Sequence, residues 1–397
     1  MAPPEDSAQP ALHRFQRWSL LVGIVGLMLC AVGAFFNLDQ FFRAYLVAYF
    51  FWLGIALGCL AIMMVHYLTG GVWGIVIHRF LEAGARTLPL LALLFVPLVF
   101  GLQHLYVWAR PDAVAADALL QHKSAYLNVP FFLIRAAVYF VIWLGVGYLL
   151  QRWSLAQERT GDGLVSRRSR VLSGPGLVLY GLAITFASID WVMSLEPHWY
   201  STIYGFMVMV GQGLAALAFV IVATALLAEH WPLSDVIQPG HFHDLGNLLL
   251  MFVLLWAYLA YSQYVIIWSG NLLEEIPWYL RRTQGGWAWL AWVVILFYFV
   301  VPFLLLLSRD LKRNARALSM LAAALTIMSF VDLFWRIAPA FQPVDFYGHW
   351  IDMVAATGLG GIWLAAFVWC LRRKPLLPLR EPYVQEALAH GREQYTR

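Results

Sequence analysis

Ten runs of about twenty mostly apolar residues dominate the chain, each long enough to cross a bilayer core of about 30 Å as a helix. They fall at roughly 18–36, 44–66, 87–109, 129–151, 174–195, 202–228, 245–268, 286–308, 317–339 and 350–371. Hydrocarbon offers no partner to a backbone N–H or C=O, so a spanning segment must be a helix or a strand of a closed barrel. Barrel strands alternate over about ten residues; these runs are continuous. The fold class that follows is an all-α integral membrane protein with ten transmembrane helices. Composition agrees: 62% of the 397 residues are hydrophobic and 12% charged, where a soluble domain carries about 25% charged residues. A soluble enzyme, a disordered chain and a nucleic-acid binder are excluded.

The net charge of +4 is sorted by membrane side rather than gathered in one basic patch. With the runs threaded in alternating direction, nineteen Lys and Arg fall on one side. Five fall on the other (Arg43, Arg110, Lys123, Arg281 and Arg282), and Arg135 and Arg336 lie within spans. The positive-inside rule puts the richer side, with both termini, in the cytoplasm. The chain then divides into a cytoplasmic segment 1–17, a ten-span membrane domain 18–371 and a cytoplasmic tail 372–397. The first apolar run ends without a small-residue cleavage site and reads as an uncleaved span. The longest connections, about 152–173 and 269–285, are too short to bury a core of their own. Gly54-Ile-Ala-Leu-Gly-Cys-Leu-Ala-Ile and Gly211-Gln-Gly-Leu-Ala-Ala-Leu-Ala-Phe hint at a relation between spans two and six.

Redox ligands are missing from the pattern. Cys30, Cys59 and Cys370 lie far apart in apolar runs and form neither a CxxC nor a haem-attachment motif. All eleven histidines fall in loops or near span ends, whereas paired membrane haems need histidines deep in facing helices. His241 and His243 make a metal site only if a third ligand converges on them. No cofactor is expected on this chain.

Ionisable groups inside a span cost a few kcal/mol even on lenient insertion scales, so each asks for a reason. Asp190 lies in the outer half of span five, with no basic residue within one turn of its own helix. Ser329, Asp332 and Arg336 share a face of span nine, and an acid and a base four apart can pair along one helix. His349 and Asp352 open span ten on one face, and Arg135 sits about two turns inside span four. The cytoplasmic half offers His243, Asp244 and Asn247 at the start of span seven. Between the two sets stand hydroxyls, with Tyr258 and Tyr261 on one side of span seven and Ser262 beside them. Such an arrangement suits a proton relay through Asp190, Asp332, Arg336, Asp352, His349, Tyr258, Tyr261, Ser262, Asp244 and His243. The competing reading is that the Asp332–Arg336 pair neutralises itself and fixes helix packing.

Two outer loops mix acids, prolines and rings. These are Leu195-Glu196-Pro197-His198-Trp199-Tyr200 and Asn271-Leu272-Leu273-Glu274-Glu275-Ile276-Pro277-Trp278-Tyr279. Proline fixes φ and aromatic rings settle at the interface, so Glu196, His198, Glu274 and Glu275 are candidate contacts for a partner protein.

At these residues the chain resembles a known family. Residues 186–205, Phe-Ala-Ser-Ile-Asp-Trp-Val-Met-Ser-Leu-Glu-Pro-His-Trp-Tyr-Ser-Thr-Ile-Tyr-Gly, resemble the ActF subunits of bacterial alternative complex III, members of the NrfD/PsrC-like membrane family. So do residues 261–279, from Tyr-Ser-Gln-Tyr-Val-Ile-Ile-Trp-Ser-Gly through Asn-Leu-Leu-Glu-Glu-Ile-Pro-Trp-Tyr, with Leu273 where proline is the family's expectation. The resemblance covers nearly the whole chain. It implies two four-helix bundles, spans 2–5 and 6–9, related by a pseudo-two-fold, with two peripheral helices. It implies a quinol:cytochrome c (or other acceptor) oxidoreductase in the bacterial cytoplasmic membrane, in which this subunit is structural and proton-conducting and has no redox centre. The expected partners are a paralogous quinol-site membrane subunit, periplasmic multihaem cytochrome c and iron–sulfur subunits, and a terminal oxidase, all within the lipid bilayer. Quinol, haem c and the iron–sulfur clusters would reside on those partners. Without the resemblance, a proton-coupled secondary transporter and a stand-alone membrane anchor remain open; a transporter's paired, Gly/Pro-broken midplane helices are not evident.

Overall fold

The computed structural model describes residues 8–160, 163–231, 233–342, 346, 348–374 and 376. Residues 1–7 of the N-terminal segment and most of the tail assigned to 372–397 lie outside the described residues. Among the described residues, ten helices are long and apolar enough to cross a membrane. They are α1 (Gln9–Phe36), α2 (Leu38–Thr69), α3 (His78–Phe100), α4 (Val129–Gln157), α5 (Arg167–Leu195), α6 (Tyr204–Leu227), α7 (Pro239–Gly270), α8 (Gly285–Leu306), α9 (Ala315–Ala340) and α10 (Trp350–Arg372). No strand occurs among the described residues. The protein is an all-helical, multi-pass membrane protein.

Most spans run longer than their apolar runs because polar caps and paired charges extend them. Asn37 ends α1 and starts α2, its side chain accepting from the Gln40 N–H at 3.0 Å. Asn314 starts α9 in the same way, accepting from the N–H groups of Arg316 and Ala317. The connection expected at 152–173 is largely helix, since Val129–Thr160 and Gly163–Trp191 are continuous helices. α3 departs furthest, starting well before residue 87 and stopping short of 109. Its first turn carries Arg79 and Glu82, whose ion pair at 2.7 Å lets charged residues enter a buried helix. Gly101 then ends it, and residues 102–109 continue as a short helix and a 3-10 turn. Pro89 and Pro97 each open a new helical piece, where a missing N–H costs nothing.

α8 contains six residues of π-helix, Ile295–Val300. Pro302 supplies no N–H to the carbonyl four residues before it, that of Tyr298, and a wider turn accommodates the loss.

α2 is apolar all round and buried along nearly its whole length, as such a helix must be. It packs on α3, α5, α6, α9 and α10. Neighbours run α2–α3–α4–α5 and back to α2, then α6–α7–α8–α9 and back to α6. The two similar stretches of spans two and six face one another: a Cβ on Gly58 would sit 2.2 Å from the Gln212 carbonyl oxygen. α1 rests chiefly on α10. Small residues are what let two helices approach where no hydrophobic effect drives them together, and here Gly23 and Gly26 meet Gly361 and Gly358 backbone to backbone.

A Cβ on Gly26 would lie 2.5 Å from the Gly358 Cα, and a backbone cannot yield as a side chain does. Gly26→Leu should therefore part α1 from α10 and destabilise the protein by roughly 1–3 kcal/mol, lowering its melting temperature in detergent. Gly145→Leu, at a position with nothing within 4 Å, should leave it unchanged. Equal effects of the two would refute the close-packing account.

Candidate functional site

Four carboxylates are buried among the described residues, Glu82, Asp190, Asp332 and Asp352, and the first three are each met by a base. Asp190 is fully buried and receives Arg135 of α4 in fork geometry, Nε to Oδ2 at 2.8 Å and Nη2 to Oδ1 at 2.9 Å. Tyr139, one turn on from Arg135, donates its hydroxyl to Oδ2 at 2.6 Å. The remaining Arg135 Nη1 donates to the Tyr126 carbonyl, and the guanidinium lies over the Tyr126 and Phe131 rings. Asp190 is thus a paired carboxylate; the isolation on its own helix that the sequence suggested is cancelled by a neighbouring one. Next to it the Trp191 ring is enclosed by Tyr49, Phe50, Phe95, Tyr139, Phe140 and Trp143.

Asp332 and Arg336 of α9 pair along their helix and are both buried. Beside them lies a cavity of about 40 Å³ lined by Gly54, Gly211, Gln212, Tyr298, Ser329 and several apolar side chains. Ser329 donates its hydroxyl proton to the Leu325 carbonyl at 2.8 Å, so Tyr298 is the donor in their 2.9 Å contact. Tyr180 of α5 donates to the Gln212 Oε1 at 2.8 Å. The Arg336 Nε and Nη1 and the Gln212 Nε2 are buried without a partner.

The loops that carry Glu196 and Arg281 form a third centre. Glu196 receives Arg281 at 2.8 Å and Arg282 at 2.6 Å. Arg282, on the short helix Ile276–Thr283, also donates to the Arg336 carbonyl at 2.7 Å and lies over the Trp278 ring. Burial lowers its hold on the proton, and Glu196 opposes that; a guanidinium stays charged regardless. Trp199 stacks on Trp278 at 4.7 Å. Glu196, His198 and Glu274 line one cleft of about 1050 Å³ with Asp117, Lys123 and Arg281. Glu275 is half-buried at the start of the short helix and does not line the cleft. Against slight desolvation, hydrogen bonds from His198 and from the Leu119 and Leu120 N–H groups hold Asp117 below the usual carboxylate range.

Other residues expected in one relay are dispersed. Tyr258 and Tyr261 are 65% and 69% exposed on the outer flank of α7, turned away from Asp332. Ser262 is half-buried; the inward residues of that stretch are Trp256 and Gln263, the latter accepting from the Ser201 hydroxyl at 2.6 Å. His243 contacts Asp244 and Asn247 at the start of α7, and Lys312 donates to Asn247 at 2.7 Å. His349 and Asp352 cap α10 reciprocally, and Asp352 also accepts from Gln40 at 2.8 Å.

Sequence reasoning missed Glu82. It is 1% exposed and receives Arg79 of its own helix and Lys374 from beyond α10. The i,i+3 spacing of Arg79 and Glu82 was the available signal, hidden because residues 67–86 read as a connection. Burial lowers the Lys374 ammonium's affinity for its proton and Glu82 raises it. Tyr298 and Gln212 were also missed, lone polar groups in long apolar runs. Among the described residues, no three His, Cys, Asp and Glu side chains cluster to hold a metal ion.

No family model matches the chain, and no curated protein matches it.

The Arg135–Asp190 pair yields a direct test. Arg135→Met strands a buried carboxylate and should cost roughly 3–5 kcal/mol, read as a fall in unfolding midpoint in detergent. Arg135→Met with Asp190→Leu removes both charges and should recover most of that loss. A double variant as unstable as the single one would show that the pair's shape, rather than its charge balance, matters.

Proposed function

We propose that this chain is a membrane subunit of a bacterial quinol:cytochrome c (or other acceptor) oxidoreductase of the alternative complex III type. In this reading it lies in the cytoplasmic membrane with both termini inside, has no redox centre of its own, and contributes architecture and a proton path. Its two bundles would be spans 2–5 and 6–9, in keeping with the two closed circuits of helix neighbours. The observation that carries the reading is the meeting of the two stretches on which the resemblance rests. Glu196 and Trp199 come from 186–205 and Glu274 and Trp278 from 261–279, and all four line the one outer cleft, with Trp199 stacked on Trp278. A rigid, aromatic and mixed-charge cleft suits a protein partner, here the periplasmic multihaem and iron–sulfur subunits. The paralogous quinol-site subunit would pack within the membrane.

For proton movement the reading favours Asp332 over Asp190. Every N–H of the Arg135 fork that faces Asp190 is used and aromatic rings close its inner side, whereas Asp332 and Arg336 border a largely apolar cavity whose wall residues keep unspent donors.

Two outcomes are expected. Cys30, Cys59 and Cys370 are buried, so Glu274→Cys adds one accessible thiol, and a short crosslinker there should capture a haem-bearing periplasmic chain in the native complex. Capture of cytoplasmic proteins or lipid alone overturns the docking assignment. Asp332→Asn with Arg336→Gln removes the pair without leaving a lone charge. In reconstituted vesicles the variant should keep quinol oxidation under uncoupled conditions and lose part of the proton-to-electron ratio; an unchanged ratio makes the pair a packing device.

A further inference from the structure

We infer that the cavity among α2, α6, α8 and α9 is a resident water site, in which two or three water molecules bridge Arg336 and Asp332 to Gln212 and Tyr298. The first ground is the polar inventory of its wall. The Arg336 Nε and Nη1 and the Gln212 Nε2 have no acceptor, although Arg336 is 4% and Gln212 5% exposed. Buried donors in native proteins are nearly always satisfied by protein or by ordered water. Tyr298 spends its proton on Ser329 and Ser329 spends its own on Leu325, so the Tyr298 oxygen is left able to accept. Arg336, Gln212 and Tyr298 all line the one space, so its wall residues carry three unspent donors and a hydroxyl acceptor, which a small water cluster needs.

The second ground is the space. About 40 Å³ exceeds the roughly 10–15 Å³ that one water requires and falls far below the roughly 300 Å³ of a small-molecule pocket, so a quinone ring does not fit. Glycine keeps it open. Gly54 and Gly211 line the cavity, and a Cβ on Gly211 would stand 3.4 Å from the Arg336 Nη2.

The third ground is charge. Asp332 already neutralises Arg336, so an anion would bring an unbalanced charge into an apolar interior. A cation would meet the Arg336 guanidinium on the same wall, with the Asp332 charge already spent on it. A neutral ligand that both donates and accepts is the remaining class, and water is the one of that size.

The location gives the cluster a role. Tyr180 of α5 holds Gln212 of α6, and Tyr298 and Asp332 belong to α8 and α9. Water there would join the polar groups of the two helix circuits across their contact. This role rests on the proton-path reading above; the hydration itself does not.

Hydroxyl-radical labelling by X-ray radiolysis of the full-length protein in native membranes tests it, because trapped water makes buried side chains beside it reactive. Tyr298 and Tyr49 are both 0% exposed, and only Tyr298 lines the cavity. Tyr298 should be modified at least about tenfold faster than Tyr49. Gly211→Ala, which puts a methyl group into the space, should cut the Tyr298 rate severalfold and leave Tyr49 unchanged. Equal labelling of the two tyrosines in the wild-type protein means that the cavity is dry and overturns the inference, whether or not the variant folds. Undiminished Tyr298 labelling in a folded Gly211→Ala protein places the water elsewhere and overturns it too. Neither result touches the proton-to-electron ratio, so failure here is separable from failure of the proposed function.

Discussion

A charge in hydrocarbon has no water to turn to, and this one constraint organises the interior of the protein. Asp190, Asp332 and Glu82 each take a base, drawn from whatever the fold can bring near. Asp332 finds Arg336 one turn along its own helix, and Glu82 finds Arg79 three residues back. Asp190 must reach another helix for Arg135, and Glu82 also takes Lys374 from beyond the last span. Such pairs add little net stability over apolar residues of equal volume, but losing one partner is costly. They act as registers: Arg135 sets α4 against α5, and Lys374 ties the end of α10 to the start of α3.

The same logic separates what was legible in the sequence from what was not. Ten helices follow from apolar length alone, because in a membrane the backbone leaves no alternative. The Asp332–Arg336 pair was legible because its geometry is local. The Arg135–Asp190 pair was not, since 55 residues and a turn of the chain separate its members. Periodicity correctly put Tyr258 and Tyr261 on one side of α7, yet a period names a shared face without saying where that face points. Here it points outward. Span three was misplaced for the converse reason: a paired Arg79 and Glu82 made a buried helix look like a polar connection.

Glycine serves two opposite ends along the contact of α2 with α6. At Gly58 the absent side chain admits the Gln212 carbonyl, drawing the helices together. At Gly54 and Gly211, about one turn away, it leaves the space that borders Arg336. Close packing on one turn sets the spacing that keeps the next turn open, so the cavity is a product of tight contact rather than of a packing defect. The π-turn of α8 adds the last wall by carrying Tyr298 to Ser329.

The Arg135–Asp190 and Arg336–Asp332 pairs therefore differ in kind. A proton can leave or reach a carboxylate only along a hydrogen bond with somewhere further to go. Around Asp190 both oxygens are filled, by the Arg135 fork and the Tyr139 hydroxyl, and the guanidinium's remaining donor ends on a backbone carbonyl. That network closes on itself, which suits holding two helices in register. Around Asp332 the Arg336 guanidinium spends one arm and leaves Nε and Nη1 without an acceptor, in a residue that lines the same cavity as Gln212. The loop cleft reaches this same residue, since Arg282 binds the Arg336 carbonyl while it also holds Glu196 at the cleft. A partner seated on Glu196 would thus press, through Arg282, on the backbone that carries the open pair, while the closed pair at Asp190 stays braced by α4.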